Sequence, residues 1–158
     1  MLREIERTKA KGVELNVSCP NKKILNGKEI ENILYIAKIT QLPIILKLSV
    51  TQKLDFDLHN IQAISINSIP WKYVYHDKIS PFEFSGGGAL SGKVIQSYTW
   101  KFIEYLTENT RVPVIGCSVW DYEDMDKLYK KGCKAISFGS IFLKYPWKPT
   151  VFVRRKRS

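Results

Sequence analysis

Cysteine is scarce in this chain of 158 residues, which has only Cys19, Cys117 and Cys133. The three lie far apart and form no C-x-x-C pair, which argues against zinc or an iron–sulfur cluster held by this chain alone. A sparse and odd set also argues against a disulfide framework and favours a reducing compartment. We therefore expect no metal site.

Long hydrophobic runs are missing as well. No stretch reaches the roughly 20 apolar residues that a membrane-spanning helix needs, and the first seven residues are too charged for a secretory signal. Hydrophobic residues still make up 44% of the chain, which suits a globular domain with a buried core. The sequence predicts a soluble, cytoplasmic protein that does not bind membranes.

Acidic residues are too few to balance the basic ones, and the formal net charge is +10. Arg154, Arg155, Lys156 and Arg157 carry four of the positive charges, and we expect a frayed, solvated tail over residues 151–158. The other basic residues form no motif that reads bases, so nucleic acid is not expected as a partner. A nucleic-acid-binding protein would show strongly salt-dependent binding.

Short apolar runs alternate with longer amphipathic ones along the chain. The apolar runs predict strands at residues 13–17, 44–48, 63–67, 114–116 and 135–138. Helical spacing predicts helices over about 28–40 and 93–107, from Asp121 or Asp124 to about 131, and a short one at about 56–60. The long loop at residues 69–92 includes Gly86-Gly87-Gly88, and loops of that length are usually functional or disordered.

This alternation predicts an α/β fold with a parallel sheet and right-handed crossovers. A complete TIM (β/α)8 barrel needs about 200 residues or more. The five βα units therefore indicate the C-terminal part of such a barrel over residues 1–150, incomplete as given. A small open doubly wound sheet is the alternative. Five strands would leave two exposed edges, so we expect the missing N-terminal half of the barrel or a second copy of the chain as partner.

The predicted strand ends carry an unusual set of side chains for positions where parallel α/β folds bind ligands. They offer amides, hydroxyls, one cation, one thiol and glycines, where an ordinary strand end has solvated charges. The set is Asn16, Ser18, Cys19, Asn21, Lys47, Asn67, Ser68, Gly116, Gly139 and Ser140. Their convergence predicts a ligand site.

Several segments resemble the dihydroorotate dehydrogenase family, in its cytosolic class with a cysteine base. Residues 14–21, Glu-Leu-Asn-Val-Ser-Cys-Pro-Asn, are similar to the family's E-L-N-x-S-C-P-N segment. Ile45-Leu46-Lys47-Leu48, Ile66-Asn67-Ser68, Gly88-Ala89-Leu90-Ser91-Gly92 and Ile136-Ser137-Phe138-Gly139-Ser140 resemble later motifs in the same order. The resemblance covers about residues 12 to 146, nearly the whole chain.

For the substrate, the resemblance implies oxidation of dihydroorotate to orotate, with Cys19 as the base that removes a proton. Asn16, Asn21, Asn67 and Ser68 match residues that hydrogen-bond the pyrimidine and its carboxylate. Amides suit such a flat ligand with alternating donors and acceptors. From the residues alone, Cys19 could instead be a buried structural thiol.

For the cofactor, the resemblance implies flavin mononucleotide (FMN), which takes the hydride. Lys47 matches the lysine beside the flavin ring, where a cation stabilises the reduced form, although a buried ion pair is the alternative for it. Gly88, Gly116, Cys117, Ser118, Gly139 and Ser140 match positions that contact the cofactor.

The chain departs from the family pattern at the phosphate end. A G-x-G-G stretch is usual there, but this sequence has Gly116-Cys117-Ser118-Val119-Trp120, which has fewer glycines and is one residue short of the family's loop. A side chain where positive φ is required carries a conformational cost. The first three βα units and a final packed helix also have no counterpart. A non-catalytic remnant is therefore one alternative. A related flavoprotein that reduces uracil-like pyrimidines is another, since the same active-site loop would serve it, and the electron acceptor is not predicted.

Overall fold

The computed structural model describes residues 2–18, 27–66 and 68–157, so Cys19, Asn21 and Asn67 lie outside the described residues. The elements follow in the order α1 (Leu2–Glu6), β1 (Val13–Asn16), α2 (Gly27–Ile39), β2 (Ile44–Leu48), β3 (Ala63–Ile66), β4 (Ile69–Pro70), α3 (Trp71–Val74), β5 (Ala89–Leu90), α4 (Gln96–Asn109), β6 (Ile115–Gly116), α5 (Tyr122–Lys130), β7 (Ala135–Ile136), α6 (Ile141–Lys144) and α7 (Lys148–Arg157).

Five of the strands run parallel, in the order in which the chain makes them. β1, β2 and β3 form one ladder, and β6 pairs with β7. A bridge between Ile64 and Val114 joins the two groups, and the Ile64 N–H donates to the Pro113 carbonyl at 2.8 Å. The predicted α/β class with parallel strands is confirmed. A doubly wound sheet reverses its strand order at a switch point, and the described strands show no reversal.

The two faces of the sheet differ in burial. On β2, Ile44, Leu46 and Leu48 are fully buried, whereas Ile45 and Lys47 between them stay partly exposed. Successive side chains of a strand point to opposite faces, so one face of the sheet lies in the core. The helices α2, α4 and α5 contribute to that core through Ile30, Leu34, Ile103, Leu106, Met125 and Leu128. The opposite face is left to line a cleft.

Helix α5 shows how local sequence sets its bounds. Asp121 is the N-cap and forms a capping box with Asp124, which decides between the two start positions that the sequence allowed. Gly132 follows the helix with φ of 93°, and a Cβ there would lie 3.2 Å from Thr107. Glycine adopts this backbone conformation without steric cost, so the chain can turn into β7.

The predicted short helix at residues 56–60 does not form. The Asp57 side chain accepts a hydrogen bond from the His59 N–H at 2.8 Å, which favours a turn over a helix. Asn60 has φ of 66°, outside the right-handed helical region. The side chains of Leu54 and Phe56 pack against the core, although their backbone is not helical.

The expectation of a frayed C-terminal tail is wrong, although most of the side chains over residues 151–156 are exposed as expected. Helix α7 runs through residues 151–157, and Phe152 is buried in the core. The Arg155 guanidinium lies 4.0 Å from the centre of the Tyr122 ring, and Lys156 pairs with Asp126 at 2.6 Å. Aromatic and carboxylate partners on α5 therefore hold these cations against the protein. A final packed helix, which the sequence did not predict, is present.

The long loop at residues 69–92 is ordered by its own contacts. β4 and β5 pair antiparallel, with Ile69 opposite Leu90. Ser80 is buried, and its hydroxyl donates to the Gly87 carbonyl. The loop thus leaves the end of β3 as β4 and returns beside β4 as β5 before α4 begins. None of the helices in the described ranges has the length and apolar character needed to cross a bilayer.

We expect Leu46→Ala to destabilise the protein by on the order of 2–5 kcal/mol, because it leaves a cavity in a fully buried part of the core. Leu143, which is 90% exposed, provides the matched control, and Leu143→Ala should change stability by less than about 0.5 kcal/mol. Urea denaturation measures both. Similar losses for the two variants would contradict the burial pattern.

Candidate active site

An open cleft of about 500 Å³ lies at the carboxyl ends of the parallel strands. Its size is in the range of small-molecule sites, roughly 300–1,000 Å³. The cleft is lined by Glu14, Lys47, Ser65, Ile66, Ser68, Ala89, Ser91, Gly92, Ile95, Ile115, Cys117, Ser118, Val119, Ser137, Phe138, Gly139 and Ser140. Every parallel strand or the loop after it contributes, as expected for a site at this edge of a sheet.

The strand register brings polar side chains together at one side of the cleft, which Glu14, Lys47 and Ser65 line and Asn16 does not. Asn16 lies opposite Lys47, and Lys47 lies opposite Ser65, so the three form a row across β1, β2 and β3. Lys47 forms a salt bridge with Glu14, and the Ser65 hydroxyl donates to the other Glu14 oxygen at 2.9 Å. The ion pair left open for Lys47 is therefore present, on the cleft surface. The Lys47 and Glu14 side chains keep 28% and 38% exposure, so both remain accessible.

Two of these residues were missed as members of the site. Glu14 was part of a recognised motif, but no role followed for it, and Ser65 was not singled out. The alternation of strand side chains was the available signal, because Glu14 precedes Asn16 by two residues and shares its face. Lys47 and Ser65 meet Glu14 only through the pairing of three separate strands.

The predicted substrate-binding residues are described in part. The Asn16 side-chain oxygen accepts hydrogen bonds from both the N–H and the hydroxyl of Ser18, each at 3.1 Å. This arrangement holds the chain as it leaves β1. Ser68 lines the cleft. Cys19, Asn21 and Asn67 lie outside the described residues, and their roles stay predictions.

Besides Lys47, six residues were predicted to contact the cofactor. Four of them line the other side of the cleft, namely Cys117, Ser118, Gly139 and Ser140. Gly139 has open space around it, because a Cβ there would meet no atom within 4 Å. Gly92 was not among the predicted residues but lines the cleft with φ of 86°. A Cβ on Gly92 would lie 2.9 Å from the Ser140 hydroxyl, so only glycine fits without rearrangement.

Gly88 and Gly116 do not line the cleft. A Cβ on Gly116 would lie 3.1 Å from side-chain atoms of Cys133, Ile136 and Leu128, so this glycine allows close packing behind the sheet. Gly88 has φ of 65°, and its carbonyl accepts the Trp71 N–H at 3.1 Å within the 69–92 loop. For both positions the visible role is structural.

Ser118 adopts the strained conformation that the sequence predicted for a non-glycine residue there. Its φ is 60°, in the left-handed region, which costs an L-residue roughly 1–2 kcal/mol. Next to it, burial raises the pKa of the Cys117 thiol, and hydrogen bonds with Ser118 and Thr99 only partly oppose that rise. Cys117 therefore stays protonated near neutral pH and does not supply a thiolate to the cleft.

Cys133 is the other free thiol among the described residues, and it is buried and does not line the cleft. Burial raises its pKa to about 11, with the neighbouring Cys117 as a smaller cause. It lies behind the sheet, in contact distance of the Gly116 position.

Fold and cleft together define an α/β protein with an open cleft at the carboxyl ends of a parallel sheet, lined by Glu14 and Lys47 on one side and by serine hydroxyls on the other. The sequence profile described as dihydroorotate dehydrogenase matches residues 1–143. The chain belongs to the dihydroorotate dehydrogenase family.

Two relatives carry the name dihydroorotate dehydrogenase B (NAD(+)), catalytic subunit. The protein from Saccharolobus solfataricus is 26% identical over 156 residues, covering 89% of this chain and 52% of the relative. The protein from Thermoanaerobacter sp. (strain X514) is 28% identical and covers 89% and 51%. The chain thus spans about half the length of these relatives. A FabK mutant from Thermotoga maritima aligns with a TM-score of 0.28 and 10% identity, over 90% of this chain and 66% of that one, which is too weak to inform the fold.

We expect Ser118→Gly to be more stable than Ser118→Ala by about 1 kcal/mol, because both lose the hydroxyl and only glycine relieves the positive φ. At Lys101, an exposed position inside α4, the order should reverse, since alanine favours a helix over glycine by about 1 kcal/mol. Urea denaturation of the four variants tests this. If alanine is the more stable residue at both positions, Ser118 is not strained.

Proposed function

We propose that the cleft binds FMN and dihydroorotate and that this chain forms part of a catalytic unit oxidising dihydroorotate to orotate. One observation carries the proposal. A single cleft has Glu14, Lys47 and Ser65 on one side, and it has Ser118, Gly139 and Ser140 on the other. Family membership over residues 1–143 supports the same reaction. Fold alone would not, because one fold serves many reactions.

Cys19 is proposed as the base. Its thiolate takes the proton from one ring carbon of dihydroorotate while a hydride leaves the neighbouring carbon. A free thiol has a pKa of about 8.5, so an enclosing site must favour the thiolate near neutrality. Asn16, Asn21, Asn67 and Ser68 are proposed to hold the pyrimidine through their amides and hydroxyl. The exposed position of Asn16 at the carboxyl end of β1 is compatible with this role.

The described residues fit FMN. Ser118 offers its backbone amide and Ser140 its hydroxyl as donors, and Gly139 leaves open space in which backbone can approach a phosphate. Lys47 lies on the same cleft and would stand beside the ring, where its charge favours the reduced flavin. Glu14 partly offsets this charge through its salt bridge. When bound, FMN supplies the chemistry of hydride acceptance.

A longer protein or a second chain is proposed to complete the unit. Among the described strands, β1 pairs only with β2 and β7 only with β6, so each leaves one edge unpaired. Unpaired edges attract further strands. We propose that the parallel arc belongs to a TIM (β/α)8 barrel, whose remaining units would cover both edges.

The electron acceptor is proposed to be a nicotinamide cofactor. The relatives' names give NAD(+) and call those proteins catalytic subunits. We therefore propose that the reducing equivalents leave through a partner subunit.

One observation favours a second candidate, a non-catalytic remnant. Ser118 occupies a left-handed position with a side chain, where the resemblance leads us to expect glycine. If this loop does not bind phosphate, the chain would keep the fold without the reaction.

The absorbance spectrum of the purified protein decides between these candidates. It is recorded after incubation with FMN and removal of free flavin, and again after anaerobic addition of dihydroorotate. The proposal predicts bound flavin whose visible absorbance bleaches with dihydroorotate and does not bleach with orotate. Colourless protein would support the remnant, and bound flavin that dihydroorotate does not bleach would exclude the proposed substrate.

We expect Cys19→Ala to slow flavin reduction by about 10²- to 10⁴-fold while flavin remains bound, because general-base catalysis contributes that much. Cys19→Ser should keep residual activity that rises with pH, since serine is the weaker acid. Cys133→Ala removes a thiol behind the sheet and should leave the rate unchanged. Anaerobic stopped-flow absorbance measures all three. Equal rates for wild type and Cys19→Ala would show that another group is the base.

A further inference from the structure

We propose that Gln96 is a positioning residue for residues 117–121, here called the 117–121 loop. By holding this loop in place, Gln96 sets the affinity of the cleft for a phosphate. The part concerning phosphate rests on the proposed binding of FMN. Gln96 was not among the predicted site residues, and it does not line the cleft. Its influence on a ligand would therefore pass through the loop.

The 117–121 loop needs external support. Ser118 is in the left-handed conformation, and a residue without glycine's freedom stays there only when its surroundings enforce it. No strand or helix includes residues 117–121, so hydrogen bonds within such elements do not provide that support. It has to come from neighbouring side chains.

Gln96, at the start of α4, provides a side-chain contact to the strained residue Ser118. Its side-chain amide donates to the Ser118 carbonyl at 2.7 Å and to the Asp124 carboxylate at 2.8 Å. One amide group thus joins the strained residue to a carboxylate on α5. Both of its N–H donors are used in doing so.

Asp124 extends the connection to the end of the loop. It is 4% exposed, and the same carboxylate oxygen that meets Gln96 accepts the N–H groups of Trp120 at 3.0 Å and Asp121 at 2.9 Å. Three donors therefore converge on one buried oxygen. Removing Gln96 would take away one of the three and leave the Ser118 carbonyl without its donor.

Two further α4 side chains hold the beginning of the loop. Trp100 donates through its indole N–H to the Cys117 carbonyl at 3.1 Å. The hydroxyls of Thr99 and Ser118 are 3.2 Å apart, and Thr99 is fully buried. One face of α4 thus contacts the Cys117 and Ser118 carbonyls and the Ser118 side chain.

These contacts engage backbone carbonyl groups of the 117–121 loop, and they do not engage two of its backbone N–H groups. Ser118 and Val119 both line the cleft, and neither of their N–H groups donates to another residue in the part of the chain that the structure describes. Successive N–H groups around a left-handed residue form a concave site suited to an anion. Gln96 would keep this backbone shape ready for a phosphate, with no direct contact to it.

Matched substitutions at Gln96 test the proposal. Gln96→Met keeps the approximate volume and removes both donors, whereas Gln96→Lys keeps a donor for the carbonyl and the carboxylate. Gln41→Met is the control, because Gln41 is exposed and precedes β2, at the opposite end of the strands. The dissociation constants of FMN and of riboflavin, which lacks the phosphate, are measured by flavin fluorescence.

We expect Gln96→Met to weaken FMN binding by roughly tenfold, the value of one lost hydrogen bond of this kind. Riboflavin affinity should not change, Gln96→Lys should largely restore FMN binding, and Gln41→Met should resemble wild type. An unchanged ratio of FMN to riboflavin affinity in Gln96→Met would overturn the proposal. A purely structural loss would weaken both flavins alike.

Hydrogen exchange of the flavin-free protein tests the loop independently of any ligand. The Trp120 and Asp121 amides should exchange faster in Gln96→Met and at the wild-type rate in Gln41→Met. If wild type binds neither flavin, the proposed function fails and hydrogen exchange alone judges the role of Gln96. Unchanged exchange in Gln96→Met would then overturn that role.

Discussion

The parallel register of β1, β2 and β3 is the constraint on which the candidate site depends. Asn16, Lys47 and Ser65 share a row only because their strands pair without a shift. A slip of one residue would turn each polar side chain into the core and each apolar one outward. The fully buried Leu46 and Ile64, packed against the helices, oppose such a slip. The apolar face of the sheet therefore determines where the polar face presents its groups.

The other side of the cleft is held in a different way. Where the family pattern places glycines, Ser118 accepts a strained backbone, and side chains of α4 and α5 provide hydrogen bonds around it. Asp121 connects this region to α7 and to the turn before α4, through Lys148 at 3.4 Å and Lys93 at 3.0 Å. The hydrogen bond from Lys93 is the main reason that the pKa of Asp121 lies below its usual range. The loop after β6 thus depends on three helices and not on glycine.

Sequence reasoning succeeded where local pattern and tertiary packing agree. The β2 strand and helices α2, α4 and α5 were predicted close to their observed bounds, because each combines a clear apolar period with an end signal such as Pro43 or Gly132. It failed where local cues were weak or ambiguous. Helix α1 was not predicted, and the segment at 56–60 forms turns where a helix was expected. The basic C-terminal residues form a helix because Phe152 is buried in the core.

By itself the sequence determined the α/β class, the parallel arrangement, the family and the strand ends as the place of the candidate site, since these follow from periodicity and from motifs along the chain. Only the tertiary structure decided that Glu14 joins Lys47 and Ser65, that Gly116 packs behind the sheet, and that Gln96 reaches Ser118. Each of these contacts joins residues that are far apart in sequence, and the folded path of the chain sets those distances.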